Sequence, residues 1–227
     1  MRINYFDLGL YHGTELTVMA ERIIPEIGFD NFFAYGFEAC REHYEAVSNI
    51  PWLKKDNIKI FNYAVSGKPG NRKLYHAPNN LGHSLFSTKK NVTSESEDVE
   101  SILFSEWILD NVPTFKDDIN IIKMNIEGAE YEVFQDLVKS DLVKHVDIFC
   151  GAGHDIEKIS ELLPVKGDYY ALLENNDIFL HKFSATGRFD STPEGTTYTI
   201  IGHDKNVNML DLVLSAIDNR INGELNV

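Results

Sequence analysis

The chain has 227 residues, 43% hydrophobic and 25% charged, which excludes wholesale disorder and collagen-like repeats and fits one large domain with additions. Its 35 acidic and 21 basic side chains give a formal charge of −14, which disfavours nucleic acid as a partner, because phosphate neutralisation supplies that affinity. No apolar run reaches the roughly 18 residues of a membrane helix, the first residues lack a signal-peptide core, and Cys40 and Cys150 are too few for a disulfide scaffold or a four-thiolate zinc site. The expectation is a cytoplasmic protein with no membrane partner.

In chain order, the first predicted strand is Ile3–Leu8. Leu16, Met19, Ala20, Ile23, Ile24 and Ile27 then fall on one helical face that ends near Gly28. Further strands are predicted at Phe32–Phe37, 58–65, 119–126 and 145–150, each a short apolar run without polar alternation, as strands covered on both faces should be. Ala129, Val133, Phe134, Leu137 and Val138 form a second helical stripe. Ile156, Ile159, Leu162 and Leu163 form a third, with Asp155 as its N-cap. This alternation predicts an α/β fold with a doubly wound, mostly parallel sheet.

Two regions break the rhythm. Residues 66–104 are expected to be an insertion after the third core strand, a lid or substrate wall. Gly67, Pro69, Gly70, Pro78 and Gly82 punctuate it, with strand-like pieces at 73–76 and 85–87 and an exposed turn at 93–98. Beyond it, strands are expected at 169–173, 178–183 and 197–201, antiparallel in part, with a hairpin-type turn at 175–177 and a mobile loop at 187–195. A last helix at 206–222 carries Leu210, Val213, Leu214, Ile217 and Ile221 on one face and is expected to pack on its own sheet. The whole chain, 1–227, reads as a single domain.

In an open parallel sheet, ligands bind outside the carboxyl ends of the strands. The first strand ends Asp7-Leu8-Gly9-Leu10-Tyr11-His12-Gly13, whose glycines allow a tight turn and a close approach by a cofactor. The second ends at Phe37-Glu38-Ala39, and a carboxylate there can accept bonds from the ribose hydroxyls of an adenosine cofactor. At the third edge, Asn62 and Ala64 leave room for an adenine edge. The fourth edge, Lys123-Met124-Asn125-Ile126-Glu127-Gly128-Ala129-Glu130, gathers a lysine, an amide and carboxylates where a cleft is less costly than an interior. Glu130, and less so Glu127, also suits the start of the next helix, through its dipole.

Together these edges resemble the FkbM family of S-adenosylmethionine-dependent methyltransferases, within the class I Rossmann-like methyltransferases, over about residues 3–155. The family's Lys-Ile-Asp-Val-Glu-Gly-Ala-Glu is matched at 123–130 and its glycine turn at 7–13, while its Phe-Glu-Pro is echoed at 37–39; Ser84-Leu85 and residues 99–108 keep family order. The resemblance implies S-adenosylmethionine as cofactor, held by Asp7, Gly9, Leu10, Gly13, Glu38, Ala39, Asn62, Ala64 and Asn125. It also implies a small-molecule hydroxyl acceptor, of sugar or natural-product type, lined by Lys123, His83 and Ser84. Tyr11 stands where the family has a small polar residue, and Asn125 where it has Asp. An amide can still accept a hydrogen bond but supplies no negative charge and no base.

An alcohol acceptor needs a general base. The candidates are His154, after the fifth strand, then Glu127 and His12. No His, Asp or Glu spacing forms a recognised metal-ligand motif, so no metal is assigned. The remaining histidines, 43, 76, 145, 181 and 203, are given no role, and both cysteines read as small buried hydrophobes. The chain is expected to act as a monomer or homodimer. The alternatives are a non-catalytic S-adenosylmethionine-binding module and, less favoured, a nicotinamide-dependent Rossmann oxidoreductase, whose second glycine is replaced by Tyr11.

Overall fold

The computed structural model describes residues 2–153, 155–183, 185–186, 191–192, 195–196, 199–200 and 209–221. The first half contains β1 (Ile3–Leu8), α1 (Thr14–Ile27), β2 (Phe32–Phe37), α2 (Arg41–Val47) and β3 (Ile58–Phe61). Next come β4 (Ala64–Val65), β5 (Gly70–Tyr75), β6 (Ser96–Ile102) and α3 (Phe104–Asn111). The second half holds β7 (Ile119–Met124), α4 (Glu130–Lys139), β8 (Ile148–Gly151), α5 (Lys166–Asn175) and β9 (Leu180–Lys182). It closes with β10 (Ala185–Thr186), β11 (Ser191–Thr192), β12 (Gly195–Thr196), β13 (Thr199–Ile200) and α6 (Met209–Ile221).

Six strands form one sheet in the order β3-β2-β1-β7-β8-β9, every neighbouring pair parallel. The chain winds outward from β1 to β3, then returns to the middle at β7 and winds the other way. Strand order therefore reverses between β1 and β7, and a crevice opens there at the carboxyl ends. The register makes those ends level: Leu8 lies opposite both Phe37 and Met124, and Phe37 opposite Phe61. The turns after β1, β2, β3 and β7 consequently leave the sheet at one height.

All six residues of β1 are buried, and so are all six of β7. Alternate side chains serve two separate cores, which explains why both strands are rich in apolar residues without polar alternation, the buried exceptions being Asn4, Asp7, Asn120 and Lys123. On one face Ile3, Tyr5, Ile119 and Ile121 pack with Leu16, Met19 and Ile23 of α1, and with Val213 and Ile217 of α6. On the other, Phe6, Leu8, Ile122 and Met124 meet Phe104 and Trp107 of α3 and Val133, Phe134 and Leu137 of α4. The last helix thus covers its own sheet, as expected.

Several elements differ from the sequence reading. The run at 58–65 breaks in two, because the Asn62 amide donates to the Glu38 and Ala39 carbonyls (2.8 and 3.1 Å) and turns the chain away from the sheet. β4 then pairs with β6 in a second, three-stranded sheet of order β4-β6-β5, so the expected turn at 93–98 runs into strand β6. The run at 119–126 stops at Met124, and the run at 145–150 starts as a strand only at Ile148. The helix expected from Asp155 is two successive 3-10 segments, Asp155–Lys158 and Ser160–Val165, the second containing Pro164, which cannot donate to an α-helical ladder.

The strand expected at 169–173 is helix α5, which turns Tyr169, Leu172 and Leu173 toward the α4 core at i, i+3, i+4 spacing. Residues 175–177 end that helix rather than turning a hairpin. β9 then runs parallel to β8; the antiparallel C-terminal strands are the short pairs β10–β13 and β11–β12, apart from the main sheet. The loop expected at 187–195 lies mostly outside the described residues.

Candidate active site

Where strand order reverses, a cavity of about 570 Å³ opens between the main sheet and the insertion. This lies within the roughly 300–1,000 Å³ usual for small-molecule sites. Its floor is Gly9, Asn125 and Glu127, at the ends of β1 and β7; Glu38 and Ala39 flank it at the end of β2. Ala64, Val65, Leu74 and Leu85 give an apolar wall, and His83 with its neighbours 80–82 closes the roof from the insertion.

Gly9 is the hinge of the floor. Its φ of +83° lies in the left-handed region, and a Cβ there would sit 2.1 Å from the Asn125 carbonyl oxygen. In the same crossing the Asn125 amide donates to the Leu8 carbonyl at 2.8 Å. The β1 and β7 turns are thereby locked together. Tyr11 and Glu127, both lining the cavity, also hold positive φ, +50° and +58°, uncommon for residues with a side chain.

Glu38 is 7% exposed. One carboxylate oxygen accepts the Tyr11 amide (2.7 Å) and the other the Cys40 amide (2.8 Å). A carboxylate has about four lone-pair sites, so further acceptor capacity remains on the cavity side. His43 Nδ1 lies 3.8 Å from the Cys40-bonded oxygen. Burial works against the charged imidazole, yet Cys40 and Glu38 outweigh it and lift His43 to about 10.

Behind the floor lies a buried ion pair. Lys123 Nζ donates to Asp7 (2.7 Å) and to the Gly9 carbonyl (2.8 Å), with both side chains almost wholly shielded from solvent. Burial pushes the Asp7 carboxyl up, against the pull of Lys123. Burial also opposes the Lys123 charge, but the Asp7 and Glu15 carboxylates hold the ammonium protonated above its ordinary range. Asp7 therefore fixes the turn through Lys123 and does not reach the cavity, while Lys123 faces it only in part.

Of the residues singled out in the sequence, Gly9, His12, Glu38, Ala39, Ala64, His83, Lys123, Asn125 and Glu127 meet at this cavity. Four others stand behind its wall along with Asp7. Leu10 is fully buried beside Gly36, and Gly13 packs against Val47 and Leu53 at the start of α1. Asn62 braces the β2 turn, as above. Ser84 is fully buried, its Oγ donating to the Glu127 carbonyl at 2.7 Å. His154 lies outside the described residues.

Glu127 is tied to Lys89 of the insertion by an ion pair. Burial and the Asp155 charge raise its carboxyl, and Lys89 opposes them. Lys89 was not anticipated, nor was His43, which had been given no role. The available signal was the Cys40-x-x-His43 spacing directly after Glu38.

Glu130 is 3% exposed and accepts the Ile126 and Gly128 amides (3.2 and 2.8 Å), tying the turn that carries Glu127. Burial, then Asp155, lifts it from 4.5 to about 8. Folded protein keeps a proton that unfolded chain releases, so stability is expected to fall as pH rises from about 4.5 to about 8 and then level off, with a slope of up to about 1.4 kcal/mol per pH unit. Glu130→Gln is expected to flatten that fall, at the cost of one accepted bond. Urea denaturation of both proteins across the range checks this; parallel curves would remove Glu130 as the cause.

A reversing parallel sheet with a glycine turn after β1 and a carboxylate after β2 is a Rossmann-like architecture, consistent with the class I methyltransferases. The methyltransferase FkbM domain matches residues 7–158, from the end of β1 into the turns after β8. The chain belongs to the FkbM methyltransferase family. Comparison with curated proteins gives no match, and comparison with solved structures gives none. Among the described residues, no helix is long and apolar enough to cross a membrane.

Proposed function

We propose that this methyltransferase takes S-adenosylmethionine as cofactor and methylates a hydroxyl of a small molecule, of sugar or natural-product type. The observation that carries the reading is the joining of Gly9, Glu38 and Asn125 in one cavity at the point where strand order reverses. The residues fit such a cofactor. Gly9 lets the turns after β1 and β7 cross in direct contact and so form one floor with Asn125, Glu38 retains acceptor capacity for ribose hydroxyls, and the wall of Ala39, Ala64 and Leu74 suits an apolar base edge. Tyr11, in place of a second glycine, speaks against a nicotinamide enzyme.

When bound, the cofactor supplies a methyl group on a sulfonium sulfur. The protein's task is then to align the acceptor oxygen and take its proton. Of the described residues, His12 suits the second task. It lines the cavity, and burial together with the His43 charge lowers its proton affinity, keeping a neutral ring ready to accept. Glu127, engaged by Lys89, orients the acceptor side. His83 and Leu81 from the insertion form the wall that selects the acceptor.

Calorimetry with S-adenosylmethionine and S-adenosylhomocysteine tests the reading. Saturable one-to-one binding of both is expected; no heat from either at millimolar concentration would end it.

A further inference from the structure

Across the β2 side of the cavity, three side chains with metal-binding atoms converge. Cys40 precedes the first turn of α2, His43 lies on that turn, and His83 comes from the insertion forty positions on. Their ligand atoms all lie within 4.8 Å of one another. The His43 and His83 rings stack with centroids 5.0 Å apart, and a carboxylate oxygen of Glu38 stands 3.8 Å from His43 Nδ1.

We propose that Cys40, His43 and His83 form a binding site for a borderline-soft divalent cation of the zinc type, with water in the fourth position. One thiolate and two imidazoles is a donor set that favours zinc over magnesium or calcium, which prefer all-oxygen shells. Zinc–sulfur bonds of about 2.3 Å and zinc–nitrogen bonds of about 2.1 Å in a tetrahedron put neighbouring donors roughly 3.5 Å apart. The cluster must therefore contract by up to about an ångström on binding.

A second observation points the same way. His83 Nδ1 accepts the Ala77 amide at 2.9 Å, while its Nε2 is buried and has no hydrogen-bond partner. Coordination through Nε2 would satisfy that atom. The ring proton would then move to Nδ1 and the Ala77 bond would be given up. Cys40 would bind as thiolate, its proton passing to solvent, and His43 as the neutral ring.

Such a cation would fasten the insertion to the start of α2. It would close the cavity's roof over Glu38 and add to the bond that the Arg41 amide at the start of α2 already donates to Glu97 of the insertion (3.4 Å). The inference uses the folded geometry alone and does not rest on the cofactor reading, which calorimetry tests separately.

The test is cobalt(II) titration of the full chain after chelator treatment, followed by absorbance. One equivalent is expected to bind, with a thiolate-to-cobalt charge-transfer band that zinc abolishes on displacement. Cys40→Ser is expected to lose the band. His43→Gln and His83→Gln are expected to keep the band and weaken affinity by more than the roughly 10–100-fold that losing an outer-shell partner costs. On binding, the Ala77 amide resonance should shift. Absence of a stoichiometric site, or a band that survives Cys40→Ser, overturns the proposal. If Cys40→Ser does not fold, the two histidine variants decide, and unchanged cobalt affinity in both overturns it.

Discussion

Replacing Lys123 with methionine is expected to destabilise the fold by about 3–5 kcal/mol, the usual penalty for stranding one member of a buried pair. Asp7 and Lys123 are both almost fully buried, and their bond spans the reversal point between β1 and β7. Without the ammonium, the carboxylate sits in a low-dielectric core and the Gly9 carbonyl loses its donor. Asp7 escapes part of that cost by taking a proton, so the defect should shrink on acidification. The double variant Asp7→Leu/Lys123→Met removes both charges and is expected to recover most of the loss, since apolar replacements of buried pairs are often neutral or better. Denaturant midpoints of the two variants and the parent, measured at pH 6 and pH 8, provide the check. A single variant as stable as the parent at both values would show that the pair does not support the core.

The second large effect concerns binding. Glu38→Ala is expected to weaken S-adenosylmethionine by roughly 10–150-fold for each ribose bond lost, taking about 1.5–3 kcal/mol per charge-assisted bond. The same carboxylate holds the Tyr11 and Cys40 amides, so the turn after β1 and the start of α2 should loosen together. Glu38→Gln keeps one acceptor oxygen and is expected to fall between alanine and the parent. Calorimetry separates the contributions, because a loosened turn lowers thermal stability without ligand, whereas a lost ribose bond appears only in affinity. Parent-like affinity in the alanine variant would place the ribose elsewhere.

What could be read from the sequence, and what could not, follows from how each residue meets its surroundings. β1 and β2 were legible residue by residue because both faces of a central parallel strand are covered, leaving mostly apolar runs without polar alternation. The strand ends then pointed to Gly9, Glu38 and Asn125, since ligand sites on such sheets are a matter of topology. Residues 169–173 misled because the paired tyrosines favour a strand locally, whereas the alanine and leucines after them and packing against α4 favour the helix. Asp7 misled differently: its place in the motif suggests cofactor contact, but nothing local reveals that Lys123, 116 positions away, occupies it. Lys89 was unreadable for the same reason, its partner Glu127 being brought to it by the folding of the insertion; His43 carried a local signal in its spacing from Cys40, but its neighbour His83 comes from the insertion.

The crossing at Gly9 and Asn125 also divides the molecule's freedom to change. Where one backbone presses directly on another, neither side admits an added methyl group, and the two bends can shift only in concert. Adaptation to a bulkier or slimmer acceptor must then come from the ceiling, where Leu81 is half open to solvent; Gly82 beside it is fixed, since its φ is +83° and a Cβ there would stand 2.9 Å from the Asn91 side chain. Libraries aimed at new acceptors should randomise Leu81 and Leu85, which line the chamber from the insertion, and leave its base untouched.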